Sequence, residues 1–473
     1  MEENAQRLAN PGTGTNLENS FAPVKLTDRI QSLDIMRGIV LFGILLMNIN
    51  GMGLAHAYDD PTVAGGSTGW NLYTWITTNM FFEGTMRALF SLLFGVGMFI
   101  LLDRLEKNGA GINAANIYFR RLIWLLVFGL IHCYLLLWVG EILYNYALMG
   151  FLVFSFRNMG PKKLIIIAVF LFSAGTLWNY ADYTKNVKFI EQVALVNQYK
   201  AEGKPLTKEL KDADEKWQKR EDERSPAAIE EFNSNMRKDY IHVVGFLAPI
   251  NMHYNEHSPY RYDLWDVLSM MLLGIALYKL KILSAQRSYK FYGLMALIGY
   301  SIGLAVNYYE ILIILESNFS LLGFSKANVT YDLGRVFIAM GHIAAIMLLC
   351  KSPVLHWLKS RLAAVGKMAF TNYLMHSVIT MFFFSGAGFG MFGKLQRHEL
   401  LYVVFSIWIF QLVISPIWLK YFHFGPAEWL WRNLSYQKMH AFRKTKSLET
   451  NLDDMPKQLS VVPVQTSKGP PLI

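Results

Sequence analysis

The feature that most constrains this chain is a series of ten apolar runs, near 35–54, 75–101, 122–139, 142–156, 164–181, 263–280, 291–312, 331–350, 366–386 and 401–420. A helix needs about 20 mostly apolar residues to cross the hydrocarbon of a bilayer. The run 142–156 is short and reads either as a crossing or as a re-entrant segment. Composition agrees: 53% of residues are hydrophobic and 17% charged, where soluble domains carry about 25% charged residues. Cys133 and Cys350 both lie inside apolar runs, which argues against a disulfide scaffold or a thiolate zinc site. The first run, from Ile39, leads into Asn48, Asn50 and Gly51 with no small-residue cleavage exit, so it reads as an uncleaved anchor. The expected fold class is an all-α polytopic membrane protein of about ten transmembrane helices.

The net charge of +10 is unevenly placed. One set of connections carries Arg104, Lys107, Arg120 and Arg121, then Arg157, Lys162 and Lys163, then Lys279, Lys281, Arg287 and Lys290, then Lys351, Lys359 and Arg361, with more after residue 420. The alternate connections, 55–74, 140–141, 313–330 and 387–400, carry few or none. Lys and Arg mark cytoplasmic loops, so both termini are expected in the cytoplasm. The charge is then a topology signal, and nucleic acid is not an expected partner.

The expected organisation is a disordered tail over 1–28, a membrane half of about five helices over 29–182, and an external, mostly helical loop over 183–262. A second membrane half of about five helices follows over 263–436, then a basic, disordered tail over 437–473. The loop is dense in both charge signs from Glu209 to Arg224; long loops translocate regardless of charge.

Polar side chains in hydrocarbon are costly and mark function by default. At about 1.5 Å of rise per residue, Asn48, Arg87, His132, His342, His376 and Gln411 come out about 15–18 Å from the face where their helices enter. A second layer holds Glu83, Glu141, Glu310, Asp332 and Arg335, with His56 just beyond. The expectation is a shared polar cavity at mid-depth; the competing reading is interhelical hydrogen bonding, with Glu83 and Arg87 paired at i,i+4. His253-Tyr254-Asn255-Glu256-His257 matches H-x-x-E-H. Pro249 and Pro259 flank the match and no third ligand stands out, so no metal site is expected there.

Several segments resemble one known family. They are Arg29-Ile-Gln-Ser-Leu-Asp34-Ile-Met-Arg37-Gly38 with the run to Asn48, Arg87-Ala-Leu-Phe-Ser-Leu-Leu-Phe-Gly95-Val-Gly97, and Gly129-Leu-Ile-His132 with Gly140-Glu141 and Tyr146. Toward the C-terminus come Gly366-Lys-Met-Ala-Phe-Thr-Asn372-Tyr373 and Gly425-Pro426-Ala-Glu428-Trp429-Leu-Trp431-Arg432. Together they resemble the YeiB-like family, whose C-terminal half is catalogued as domain of unknown function 418. The opening motif is also similar to transmembrane acyltransferases of the heparan-α-glucosaminide N-acetyltransferase type. That resemblance implies cytoplasmic acyl-CoA as co-substrate, with no tightly bound cofactor, and an acceptor outside. Where the family usually has Asp after Gly140, this chain has Glu141, and its gap from Asn48 to His56 is shorter than in the heparan enzyme.

The leading expectation is therefore acyl transfer across a bacterial cytoplasmic (inner) membrane. Arg29, Asp34 and Arg37 would meet the CoA phosphates, Asp34 pairing with Arg37 three residues on. Asn48 or Arg87 would polarise the thioester, and His56 or His132 would take the acceptor's proton. Glu141 would tune that histidine, although it lies ~13 Å from His132 along a straight helix. Glu83, Arg335, His342, Asn372 and His376 would line the substrate cavity. The acceptor would be a small molecule, a lipid or a glycan, and a homodimer stays open. The alternatives are a transporter or exporter of a small solute or lipid-like molecule, and a membrane sensor with the 183–262 loop as its receiver.

Overall fold

A computed structural model of the protein describes residues 30–58 and 60–444. Arg29 and the expected tails over 1–28 and beyond 444 lie outside the described residues. In chain order the helices are α1 (Gln31–Gly53), α2 (Gly69–Phe81), α3 (Thr85–Lys107), α4 (Ile112–Leu135), α5 (Leu143–Val153), α6 (Pro161–Ala201), α7 (Lys208–Glu223), α8 (Pro226–Met236), α9 (Tyr240–Ser258), α10 (Val267–Lys279), α11 (Tyr289–Glu316), α12 (Leu321–Ala327), α13 (Tyr331–Lys351), α14 (His356–Lys367), α15 (Ala369–Phe384), α16 (Leu400–Tyr421) and α17 (Pro426–Tyr436). Among the described residues there is no β-strand. Seven helical stretches are long and apolar enough to cross a membrane: α1, α2 with α3, α4, α6, α11, α13 and α16. α5 and α10 are shorter apolar helices, and α15 has 16 residues.

α1 is the central helix. It is apolar all round, the pattern of a helix buried on every side, and Met36, Val40, Leu41 and Leu45 are fully buried. Glycine sets its closest crossing. A Cβ at Gly38 would strike the Leu362 carbonyl of α14, and one at Gly366 would strike the Asp34 carbonyl of α1. α3 and α10 cross in the same way, through Gly95 against Met271 and Gly274 against Leu92.

The run 75–101 is not one straight helix. It breaks at 82–84, where Gly84 takes φ +63°. Backbone groups freed inside a membrane must find partners within the protein. Here Asn307 Nδ2 donates to the Met80 carbonyl at 2.8 Å, and His342 Nε2 lies 2.9 Å from the Phe81 carbonyl.

α6 has 41 residues, about 60 Å at 1.5 Å per residue, twice the hydrocarbon thickness. Its far end pairs with α7 through Lys200 and Asp214. α8 and α9 then fold back onto the membrane helices. Arg237 Nε donates to the Phe392 carbonyl at 2.7 Å, Asn251 Nδ2 to the Cys133 carbonyl at 2.9 Å, and the Tyr240 hydroxyl to the Leu135 carbonyl at 2.7 Å. The last two bonds satisfy carbonyls that the C-terminus of α4 would leave open. Residues 437–444, expected as the start of a disordered tail, are held instead. Phe442 packs on Phe422 and Trp429, and His423 N donates to the Phe442 carbonyl. Burying an aromatic ring outweighs the polar flanks here.

Candidate functional site

Two groups of cavities approach each other inside the bundle. The first, of about 240 Å³, opens at the end where α1 begins. Arg37, Arg121, Lys367 and Arg432 surround its mouth, and Phe90, Phe94, Tyr146 and Tyr373 line its depth. Arg37 is oriented by Asp34, Nη1 to Oδ1 at 3.0 Å, and Gly97 leaves room beside its guanidinium. Arg121 lies 3.6 Å above the Trp431 ring. Glu428 is the one carboxylate on this wall among the described residues, and it is engaged. Its Oε1 accepts from Phe370 N at 2.7 Å and Thr371 N at 3.1 Å, its Oε2 from the Thr371 hydroxyl. It thus caps α15 with negative charge at the helix N-terminus, although burial pushes its carboxyl pKa up. A side chain at Gly425 would occupy the space Glu428 needs. The C-terminal motif therefore holds the helix that presents Tyr373.

From the other end come two cavities, of about 290 and 410 Å³, that share Met47, Tyr58 and Glu83. Asn48, Arg87, Glu141 and Asp263 line the smaller one. Glu310, Arg335 and Arg397 line the larger. Part of the covering comes from the 183–262 segment, through Tyr254, Asn255 and Ser258 on the smaller cavity and Arg220 on the larger. Arg397 is 3% exposed, and among the described residues it bonds neutral oxygens, Asn50 Oδ1 and the Ala57 and Ala64 carbonyls. Burial lowers its pKa to about 10.

A thin septum separates the two sides. On α3, Phe90 and Phe94 face the basic cavity while Met86 and Arg87 face the opposite one. On the segment entering α5, Leu143 and Tyr146 face the first, and Glu141, Ile142 and Asn145 the second. The Tyr146 hydroxyl lies 2.7 Å from Ser91 Oγ and pins the two walls together.

At this septum the structure overturns one expectation. α4 ends at Leu135 and the chain reverses through 136–142, with Leu137 at φ +57°. Glu141 thereby returns beside His132, its Oε1 3.1 Å from Nδ1. Gly129, one turn before His132, leaves the space in which the Glu141 carboxylate and the Tyr144 backbone sit. Both Glu141 oxygens also accept backbone N–H groups, from Leu143 at 2.6 Å and Tyr144 at 2.8 Å. The other ring nitrogen of His132, Nε2, lies 2.6 Å from Ser377 Oγ of α15. His132 is 0%, Ser377 1% and Glu141 5% exposed.

The expected single layer of polar groups divides. Asn48 and Arg87 reach the cavity with Glu141, and Glu83 and Arg335 line its extension. His342 is spent on the broken helix, between the Phe81 carbonyl and the Tyr300 hydroxyl at 2.8 Å. His376 pairs with Gln411 at 3.1 Å, and Asn372 joins the Val365 carbonyl to Ser415. His56 lies in a turn against Phe232 and lines none of these cavities. Depth placed these groups at one level; the 100° turn between successive helix residues decided which way each faces. Nor do Glu83 and Arg87 pair as helix neighbours, because the break falls between them. Arg87 pairs with Asp266 at 2.6 Å, and Arg335 bridges Asp266 and Asp332, each at 2.6 Å. Glu83 accepts from the Tyr331 hydroxyl at 3.3 Å. His253 and His257 share a face of α9 with ring centroids 4.1 Å apart. Among the described residues no group of three or more His, Cys, Asp or Glu is placed to hold a metal ion.

Three residues at this centre were not singled out from the sequence: Ser377, Tyr373 as a cavity residue, and Asp266. Tyr373 stood in a recognised segment. Asp266 is an acid at the head of an apolar run, a signal that could have been read. Ser377 carried none.

Apolar helices around opposed cavities define a polytopic helical membrane protein. Residues 277–438 match the family described as Protein of unknown function (DUF418). The chain is 29% identical over 446 residues to the uncharacterized protein YxaH of Bacillus subtilis (strain 168), covering 90% of this chain and 100% of that one. It is 28% identical over 414 residues to the uncharacterized protein YeiB of Escherichia coli (strain K12), covering 86% and 96%. No solved structure gives a significant match. The chain is thus similar to YxaH and YeiB along most of its length, and to the DUF418 family over its C-terminal part.

Proposed function

We propose that the protein transfers an acyl group from acyl-CoA, bound in the basic cavity, to an acceptor in the opposite cavities. In this reading α5, α10 and α15 complete ten crossings, both termini face the cytoplasm, and the membrane is the bacterial inner membrane. The observation that carries it is the join: a cation-rimmed, aromatic-lined cavity ends one helical turn from a polar one, with His132 buried between Tyr373 of the first and Glu141 of the second. Four cations at a mouth suit the phosphates of CoA. The apolar depth suits a pantetheine arm, and from Met98 to Phe90 it runs about 12 Å along α3. Asp34 fixes Arg37 toward the phosphates. His132, held by Glu141, takes the acceptor's proton as general base. The carboxylates, amides and aromatic rings of the opposite cavities suit a hydroxyl-bearing acceptor such as a sugar. No cofactor beyond acyl-CoA is needed.

The test is CoA release from acetyl-CoA or longer acyl-CoAs by purified protein in nanodiscs. His132→Ala should lower turnover by about 10²–10⁴-fold. Absence of both binding and turnover for every acyl-CoA tried would sink the reading, and solute flux in proteoliposomes without acyl-CoA would replace it with transport.

A further inference from the structure

We propose that Ser377 is a covalent nucleophile, activated by His132 and Glu141, and that the acyl group crosses the septum as an ester on its Oγ. This rests on the acyl-transfer reading for its donor, but not for the serine's reactivity.

The bonding order supports it first. Both Glu141 oxygens are acceptors, so His132 Nδ1 carries the hydrogen it shares with Oε1. Nε2 is then a lone-pair acceptor, and Ser377 Oγ, 2.6 Å away, donates to it. Carboxylate to Nδ1 and Nε2 to hydroxyl is the order that prepares a serine for attack, recognised by geometry and not by chain position. The three residues come from separate segments, and Ser377 is 245 positions from His132.

Second, a donor shares the serine's helix face. Tyr373 and Ser377 are i and i+4 on α15 and share a face. Tyr373 lines the depth of the basic cavity, and its ring lies edge-on to His132 with centroids 4.9 Å apart. Its hydroxyl is buried beside two donors, the Trp138 indole N–H and the Ile142 backbone N–H, which leaves its own hydrogen available. A thioester carbonyl at the end of that cavity would find the Tyr373 O–H for its developing negative charge.

Third, the septum divides the substrates. The basic cavity and the opposite ones share no lining residue. Ser377 and His132 line neither cavity themselves, but His132 touches both walls: Tyr373 of the basic cavity lies edge-on to it, and Glu141 of the opposite one bonds its Nδ1.

The chemistry balances without a further reactant. Ser377 Oγ adds to the thioester carbonyl carbon as its proton passes to His132 Nε2. The C–S bond breaks, and the departing sulfur takes that proton, releasing CoA. An acceptor hydroxyl then gives its proton to His132 and attacks the acyl-serine carbonyl. The ester C–O bond breaks, and Ser377 Oγ recovers the proton.

The experiment incubates full-length protein in nanodiscs with radiolabelled acetyl-CoA and no acceptor, then denatures and maps the label by mass spectrometry. The expected result is close to one acetyl group per chain on Ser377, with a matching burst of CoA. Ser377→Ala and His132→Ala should carry no label. Ser377→Cys should carry it as a thioester, cleaved by neutral hydroxylamine where the serine ester is not; a purely structural serine would not move that signature. A fluorophosphonate probe is applied in parallel. Its attachment to Ser377 without any CoA release would support the nucleophile and overturn the acyl-CoA donor. CoA release with no protein label, or Ser377→Ala turnover within about threefold of wild type, would overturn the nucleophile and leave acyl transfer standing. Failure of both acetyl and fluorophosphonate labelling in folded protein would overturn it as well.

Discussion

The basic cavity and the opposite cavities are a helical turn apart, yet they treat charge in opposite ways. At the basic mouth four cations face the space and the Glu428 carboxylate is consumed as a helix cap. Across the septum, charges are tied to one another: Arg87, Asp266, Arg335 and Asp332 form a buried chain of ion pairs. One side turns its cations toward the cavity, with Arg37 held by Asp34 and Arg121 by Trp431, and the other consumes most of its charge in holding helices. The difference separates a surface that attracts polyanions from a wall that offers hydrogen bonds.

The largest effect should come from breaking the tied charges. Asp266→Ala takes a partner from the buried Arg335 guanidinium and from the part-exposed Arg87, and should cost about 3 kcal/mol. Thermal unfolding in detergent should show the loss, and an unchanged melting temperature would mean that the chain of pairs is not structural. Next in size is the septum. Tyr373→Phe removes the buried hydroxyl and should lower kcat about 10²–10³-fold with a nearly unchanged KM, measured by CoA release. If KM rises and kcat holds, Tyr373 only shapes the cavity. The cations of the basic mouth should give a smaller, salt-dependent effect. Lys367→Ala should weaken CoA binding by about 1.5–3 kcal/mol, the range for a charged hydrogen bond. Raising ionic strength should shrink that difference, as titration calorimetry at two salt concentrations would show. Smallest is Glu428→Gln. It keeps the shape of the cap but loses its charge, and should cost about 1 kcal/mol or less.

The sequence was informative about some parts of this site for identifiable reasons. Asp34 and Arg37 lie three apart on one helix, so their contact follows from local geometry. Glu428 and Gly425 were visible as a recurring segment, though not as the cap of a helix 57 residues away. His132 and Glu141 were visible as polar residues in apolar surroundings, but a straight-helix estimate kept them apart because the turn at 136–142 is not written in hydropathy. His342 and His376 showed the same polar signal and bond neighbouring helices, outside the cavities.

By itself, the sequence determined that this chain builds apolar helices, where they lie, and which connections are basic. Those properties follow from the composition of contiguous segments, and water and lipid read them one segment at a time. Only the tertiary structure decided that Glu141 turns back onto His132, that Ser377 meets its other nitrogen, and that two cavities stop on either side of them. Those contacts depend on helix rotation, on a chain reversal and on glycine crossings between distant segments, and none of these is a property of any one segment.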